Sequence, residues 1–169
     1  RINKIVLNNF KNVKKGIVEM PAYSGKELFS EKADVLGLYG QNGSGKTSVV
    51  EALRFVKTLL SGEKLPADAK EYIAQGEEEC EIDVSFSVAE EVQKETVNYS
   101  VALKKDADGF VISHERMTVV PRKESIRAVE STLIDYQYDN EDVTFAPEYR
   151  YKKLVANDKK VRVALNVAQ

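Results

Sequence analysis

Residues 40–47, Gly40-Gln41-Asn42-Gly43-Ser44-Gly45-Lys46-Thr47, constrain the fold of this chain more than any other stretch. They fit GxxxxGK(S/T), the Walker A phosphate loop. Glycines at these positions let successive backbone N–H groups turn inward as an anion-binding nest, where side chains would block the phosphates. A helix opening near Lys46 points its N-terminal partial positive charge at the same oxygens. Lys46 is then expected to reach the β- and γ-phosphates, and the Thr47 hydroxyl to ligate Mg²⁺. The flanks supply the context that the motif needs. Residues 34–39, Asp-Val-Leu-Gly-Leu-Tyr, are apolar without alternation, which predicts a central strand covered on both faces. From Lys46 to Leu60, Val49, Leu53, Val56 and Leu60 share one helical face, widened by Val50, Phe55 and Leu59. That pattern predicts a buried helix, with Gly62 as its stop.

The remainder of the chain reads mainly as strands. Ile2, Ile5 and Leu7 sit among polar neighbours, and a Gly16-to-Met20 run ends at Pro21; residues 22–32 read as a loop. Residues 66–75 predict a second, short helix, with Pro66 in its first turn and Gly76 after its end. The period then switches to two. Ile82, Val84, Phe86 and Val88 alternate with Asp83, Ser85 and Ser87, and Val97, Tyr99, Val101 and Leu103 repeat the pattern. A third run covers 110–120, and residues 105–109 form a hairpin turn before it. This is an antiparallel meander with one wet face. Residues 132–138 and 143–145 suggest another hairpin, and 158–168 a helix.

Composition narrows the class. With 169 residues, 43% hydrophobic and 31% charged, the chain can bury one core. Twenty-five basic against 27 acidic residues give a net charge of −2, which argues against a domain whose main task is to coat DNA or an anionic membrane. A single cysteine, Cys80, cannot form an internal disulfide and fits a cytoplasmic setting. No apolar run approaches the roughly 20 residues that span a bilayer. The chain opens on Arg1 rather than methionine, so it reads as a piece of a longer protein.

Among phosphate-loop proteins, Asn42-Gly43-Ser44-Gly45-Lys46-Thr47 resembles the ABC-type ATPases more than kinases or GTPases. Asn9-Phe10-Lys11-Asn12 looks like the NF-(R/K)-(S/N/G) that closes the first strand of SMC, RecF and OLD-like ATPases, and Ser48-Val49-Val50-Glu51-Ala52-Leu53-Arg54-Phe55 is similar to the helix that follows their loop. Tyr72-Ile73, Gly76, the 82–86 strand and the 112–115 segment look like the antiparallel lobe of those heads. The nearest likeness is to bacterial OLD-like or abortive-infection AAA/ABC-type ATPases, and its specific part covers about residues 2–62. The resemblance implies an ATP- and Mg²⁺-dependent head that pairs with a second head, each nucleotide clamped between the phosphate loop of one and the signature motif of the other. On the same basis Lys11 and Asn12 are candidate nucleotide contacts beside Gly40, Gln41, Asn42, Gly43, Ser44, Gly45, Lys46, Thr47 and Ser48.

What a hydrolysing head needs besides is hard to find. Glu90-Glu91 and Leu133-Ile134-Asp135 are the nearest imitations of a Walker B strand. The first follows an alternating strand, unlike a central parallel one, and Tyr136 follows the second. Ser61-Gly62 imitates a signature motif, but a helix end explains it. His114 reads as a strand residue rather than a γ-phosphate sensor. Gln137 and Gln169 are both candidates for the metal-contacting glutamine. Asp106-Ala107-Asp108-Gly109 fits a GTPase DxxG only formally and reads as a turn. The pairs Lys14-Lys15, Lys152-Lys153 and Lys159-Lys160 read as solvated surface.

The expected fold is α/β, a P-loop ABC-type N-terminal lobe with a mixed core sheet and an appended antiparallel meander. Residues 1–169 form one partial domain, with a phosphate-loop core at 1–62, a mainly antiparallel subdomain at 63–169, and the C-terminal lobe lacking. Expected partners are ATP, a second head and that missing lobe; DNA stays open through the full-length protein, and no membrane is expected. Lys46 is the catalytic candidate, although this piece alone should hydrolyse ATP poorly because nothing in it activates water. The alternatives are a nucleotide-gated assembly module without significant hydrolysis and a self-contained P-loop kinase or GTPase.

Overall fold

A computed structural model describes residues 1–21, 35–66, 68–89, 94–107, 109–121 and 129–138. Among these residues six strands form one sheet: β1 (Ile2–Phe10), β2 (Val13–Glu19), β3 (Glu79–Ala89), β4 (Lys94–Asp106), β5 (Gly109–Pro121) and β6 (Ser131–Gln137). Their order is β2-β1-β3-β4-β5-β6, and every ladder is antiparallel. Among the described residues one α-helix, α1 (Lys46–Leu60), covers one face.

The period-two pattern sorts the faces. Ile5 pairs with Val84 and Leu7 with Ile82; Val84 pairs with Tyr99, Ile82 with Val101, and Cys80 with Leu103. All eight side chains are buried and join Ala52, Phe55 and Val56 of α1 in one core. The opposite face carries the row Val6, Asp83, Ser100, Arg116 and Asp135, one residue from each of five neighbouring strands. The predicted wet face is therefore there, and it spans the sheet beyond the meander. Burial also leaves its mark on ionisation. Desolvation pushes the Cys80 thiol up to about 12, and it raises the Asp83 carboxyl, against a hydrogen bond from Ser100 and with Glu81 adding repulsion.

Three expectations change. Residues 35–40 join no strand, and Val35 and Tyr39 are 89% and 95% exposed. Two-sided burial of a central strand is characteristic of a parallel sheet, whereas every ladder among the described residues is antiparallel, so a mixed core sheet is not found there. Helix α1 has the predicted bounds but is not buried all round: Val50 and Leu60 are 63% and 46% exposed. The short helix shrinks to one 3-10 turn, Ala69–Tyr72. The reason lies in the backbone, because the Tyr72 carbonyl accepts from Lys11 N at 2.7 Å and Ala74 N donates to the Asn9 carbonyl at 2.8 Å. Bonds to the end of β1 replace those that would continue a helix. The hairpin at 143–145 and the helix at 158–168 lie outside the described residues.

Candidate functional site

The site is built where β1 ends. Phe10 is fully buried, its ring 5.3 Å from that of Tyr72, which in turn meets Phe55 of α1 edge-on at 5.5 Å. This aromatic stack locks β1, the 3-10 turn and the phosphate-loop helix together. The chain then reverses into β2 with Asn9 and Lys11 at positive φ, +50° and +53°. Such backbone costs energy in residues with a Cβ and persists only where its surroundings fix it.

That turn delivers two side chains to the loop. Lys11 Nζ pairs with Glu51 Oε2 at 2.6 Å and lies 5.4 Å from the Tyr72 ring centre, a cation–π approach. Asn12 Nδ2 donates to the Gly43 carbonyl, while Asn12 Oδ1 accepts from Ser48 Oγ at 2.7 Å. Burial raises the Tyr72 phenol, with Asp68 and Glu51 adding to it.

Within the loop, Lys46 Nζ donates to the carbonyls of Gly40 and Gln41, both at 2.7 Å, and to Ser44 Oγ at 3.1 Å. The ammonium is thus held across the loop by the loop's own oxygens. Gly45 caps α1 in the left-handed region, φ +89°, with no side-chain capping bond and no acidic residue in the first turn. Its Cβ, if it had one, would lie 2.5 Å from Val13 Cγ2, so β2 packs directly on the bare backbone. Gly43 is also left-handed, φ +83°, with open space where a Cβ would be. Gln41, Asn42, Gly43, Ser44 and Thr47 are exposed; Ser48 is buried.

Together these features fit a magnesium-bound nucleoside triphosphate. A helix N-terminus free of carboxylates, an ammonium and an exposed hydroxyl at Thr47 are the donor set for phosphate oxygens and a hard cation. Lys46 would hold the phosphates and Thr47 the metal. No group of three or more potential metal-ligating His, Cys, Asp or Glu residues occurs among the described residues.

The remaining sequence candidates lie apart from the loop or beyond view. Asp135 belongs to β6, at an edge of the antiparallel sheet, and Gln137 is the exposed last residue of that strand. His114 is a β5 residue opposite Ala102 and Gln137. Ser61 is the C-cap of α1, with Gly62 at φ +65° beyond it. Asp106 pairs with Gly109 across the β4–β5 turn, and Lys14 and Lys15 are exposed on the edge strand β2. Glu90, Glu91, Lys152, Lys153, Lys159, Lys160 and Gln169 lie outside the described residues. Sequence reasoning gave Glu51 no role at the site. The available signal was its spacing, since Ser48 and Glu51 are three apart on α1 and so share the face that meets the β1–β2 turn.

No helix among the described residues is long and apolar enough to cross a membrane. No curated protein matches the chain. A family model described as "AAA domain, putative AbiEii toxin, Type IV TA system" matches residues 35–164. The match begins at the segment that enters the phosphate loop and leaves out β1, β2 and the turn carrying Lys11 and Asn12. It agrees with the resemblance to P-loop ATPases drawn from the motif and covers well over half of the sequence, so the chain belongs to this AbiEii-type AAA domain family.

Proposed function

We propose that the chain is the ATP-binding N-terminal lobe of an ABC/SMC-like ATPase, in which Mg-ATP binding and hydrolysis are coupled to pairing of two heads. The observation that carries this reading is the loop itself: Lys46 bound to three loop oxygens over a helix N-terminus with no acidic competitor. The phosphates, when bound, supply the anionic oxygens that replace those carbonyls as partners of Lys46. Gly40, Gln41, Asn42, Gly43, Ser44, Gly45, Lys46, Thr47 and Ser48 form the cradle, with Lys11 beside it.

The exposed apolar segment at 35–39 supports the further reading that a C-terminal lobe completes the core. Apolar chain without sheet partners is a surface that parallel strands from elsewhere would cover. Walker B, signature and switch residues would come with that lobe and with the second head, and turnover by this chain alone is expected to be weak. The family's description points to toxin–antitoxin work for the full-length protein, and the likeness to SMC, RecF and OLD-like ATPases suggests DNA repair or phage defence.

The test is titration of the purified chain with ATP and with GTP in the presence of Mg²⁺. ATP should bind, GTP more weakly, and Lys46→Ala should reduce ATP affinity at least about a hundredfold with its circular dichroism unchanged, through loss of charged hydrogen bonds. Equal affinity in Lys46→Ala would sink the reading.

A further inference from the structure

The resemblance makes Asn12 a candidate nucleotide contact, yet its amide is already engaged. The Gly43 carbonyl can only accept, which assigns the amide end that meets it as the donor Nδ2 and leaves Oδ1 to accept from Ser48 Oγ at 2.7 Å. In a trans peptide the carbonyl and the following N–H point to opposite sides. Anchoring the Gly43 oxygen therefore fixes where Ser44 N–H points, and Ser44 N donates to the Gln41 carbonyl at 3.2 Å. The first turn of the loop is thus held by Asn12 from outside and by Gln41 from within.

Little else restrains that peptide. Gly43 is left-handed, with open space around its Cβ position, so the backbone alone is free to rotate there. Asn12 can do this work because the preceding residue is strained. Lys11 at φ +53° is held by its N–H on the Tyr72 carbonyl at 2.7 Å. Both anchors of Asn12 are far along the chain, and Ser48 is a buried residue of α1.

We infer that Asn12 is a positioning residue of the phosphate loop: it braces the Gly43–Ser44 peptide against α1 through Ser48, so that the loop presents its backbone in the phosphate-binding arrangement before any ligand arrives. This rests on the reading of the loop as a nucleotide site. Preorganisation of that kind raises affinity by removing the ordering cost from the binding step.

The experiment compares wild type, Asn12→Ala, Asn12→Asp and Ser48→Ala by thermal melting, by amide hydrogen exchange at Ser44 without nucleotide, and by Mg-ATP titration. Asn12 is exposed, so Asn12→Ala should melt near wild type while Ser44 exchanges faster and ATP binds about tenfold more weakly, as loss of two hydrogen bonds allows. Asn12→Asp keeps the acceptor for Ser48 but loses the donor to Gly43, and should lose at least as much. Ser48→Ala should lose about threefold, and the double variant Asn12→Ala/Ser48→Ala no more than Asn12→Ala alone. Wild-type exchange and affinity in Asn12→Ala, with Lys46→Ala still defective, would overturn the brace and leave the nucleotide reading standing. If wild type bound no ATP, the nucleotide reading would fall, and Ser44 exchange would still decide whether Asn12 holds the loop. Should Asn12→Ala melt early, Ser48→Ala carries the same decision.

Discussion

Lys11 Nζ lies 2.6 Å from Glu51 Oε2, so the cation that the resemblance assigns to nucleotide is shared with a carboxylate of the phosphate-loop helix. Both side chains are about a third exposed, 32% and 31%, and a pair this wet contributes little to stability. Glu51→Gln is expected to cost no more than about 0.5 kcal/mol in a urea melt. It should also tighten ATP binding a few-fold, because the competing charge is gone and Lys11 is released toward the phosphates. Unchanged or weaker affinity would separate Lys11 from the nucleotide.

A methyl group tests the contact between the loop and β2. Gly45→Ala places a Cβ 2.5 Å from Val13 Cγ2 at a left-handed φ of +89°, and valine cannot swing away because its χ1 is stiff. The expected loss is about 2–3 kcal/mol, part from the left-handed backbone and part from overlap. Gly43→Ala meets no atom within 4 Å and should lose only about 1 kcal/mol, the backbone share. Adding Val13→Ala to Gly45→Ala should recover part of its loss; calorimetry showing no recovery would place the strain elsewhere.

Asp83 offers a pH test on the far face of the sheet. Burial raises its carboxyl in the folded state, so its charge opposes folding at neutral pH, where both states are ionised. Below the unfolded value both states are protonated and the penalty disappears. Asp83→Asn should therefore stabilise the fold near pH 7, by about 0.5 kcal/mol because Asp83 is only half-buried and solvent screens it. The gain should shrink as the pH falls through the folded and then the unfolded value of Asp83. A gain of constant size down to pH 3 would count against desolvation as its cause.

Sequence patterns carried the elements that local chemistry determines. The apolar spacing from Val49 to Leu60 marks α1, and the alternation from Ile82 to Val101 marks the meander, because burial of one face imposes each period. The Walker A spelling marks the loop, where Gly43 and Gly45 take the left-handed backbone that favours glycine. Val35 to Tyr39 misled for a physical reason: an apolar run records that a segment is to be covered without recording by what. The 3-10 turn at 69–72 lost its outer turns to Asn9 and Lys11, about 60 residues away in the chain, a competition that no local propensity contains. The brace from Asn12 to Ser48 spans 36 residues and was hidden likewise.

The strand order has a kinetic consequence. β1 and β2 form a hairpin, as do β3 and β4, and β4 and β5, so each of these ladders can close over short stretches of chain. Among the described residues, only the β1–β3 ladder joins distant residues, pairing Ile2 with Phe86 and Asn8 with Glu81, and the phosphate loop lies inside that excursion. Non-local pairing is the slow part of folding, so the hairpin and the meander are expected to form first and to meet afterwards. Pulsed exchange labelling should find amides of β4 and β5 protected before those of β1 that face β3. Among the described residues the phosphate loop is then the last part to be assembled, and a ligand bound there during refolding would reward completion without guiding the earlier steps.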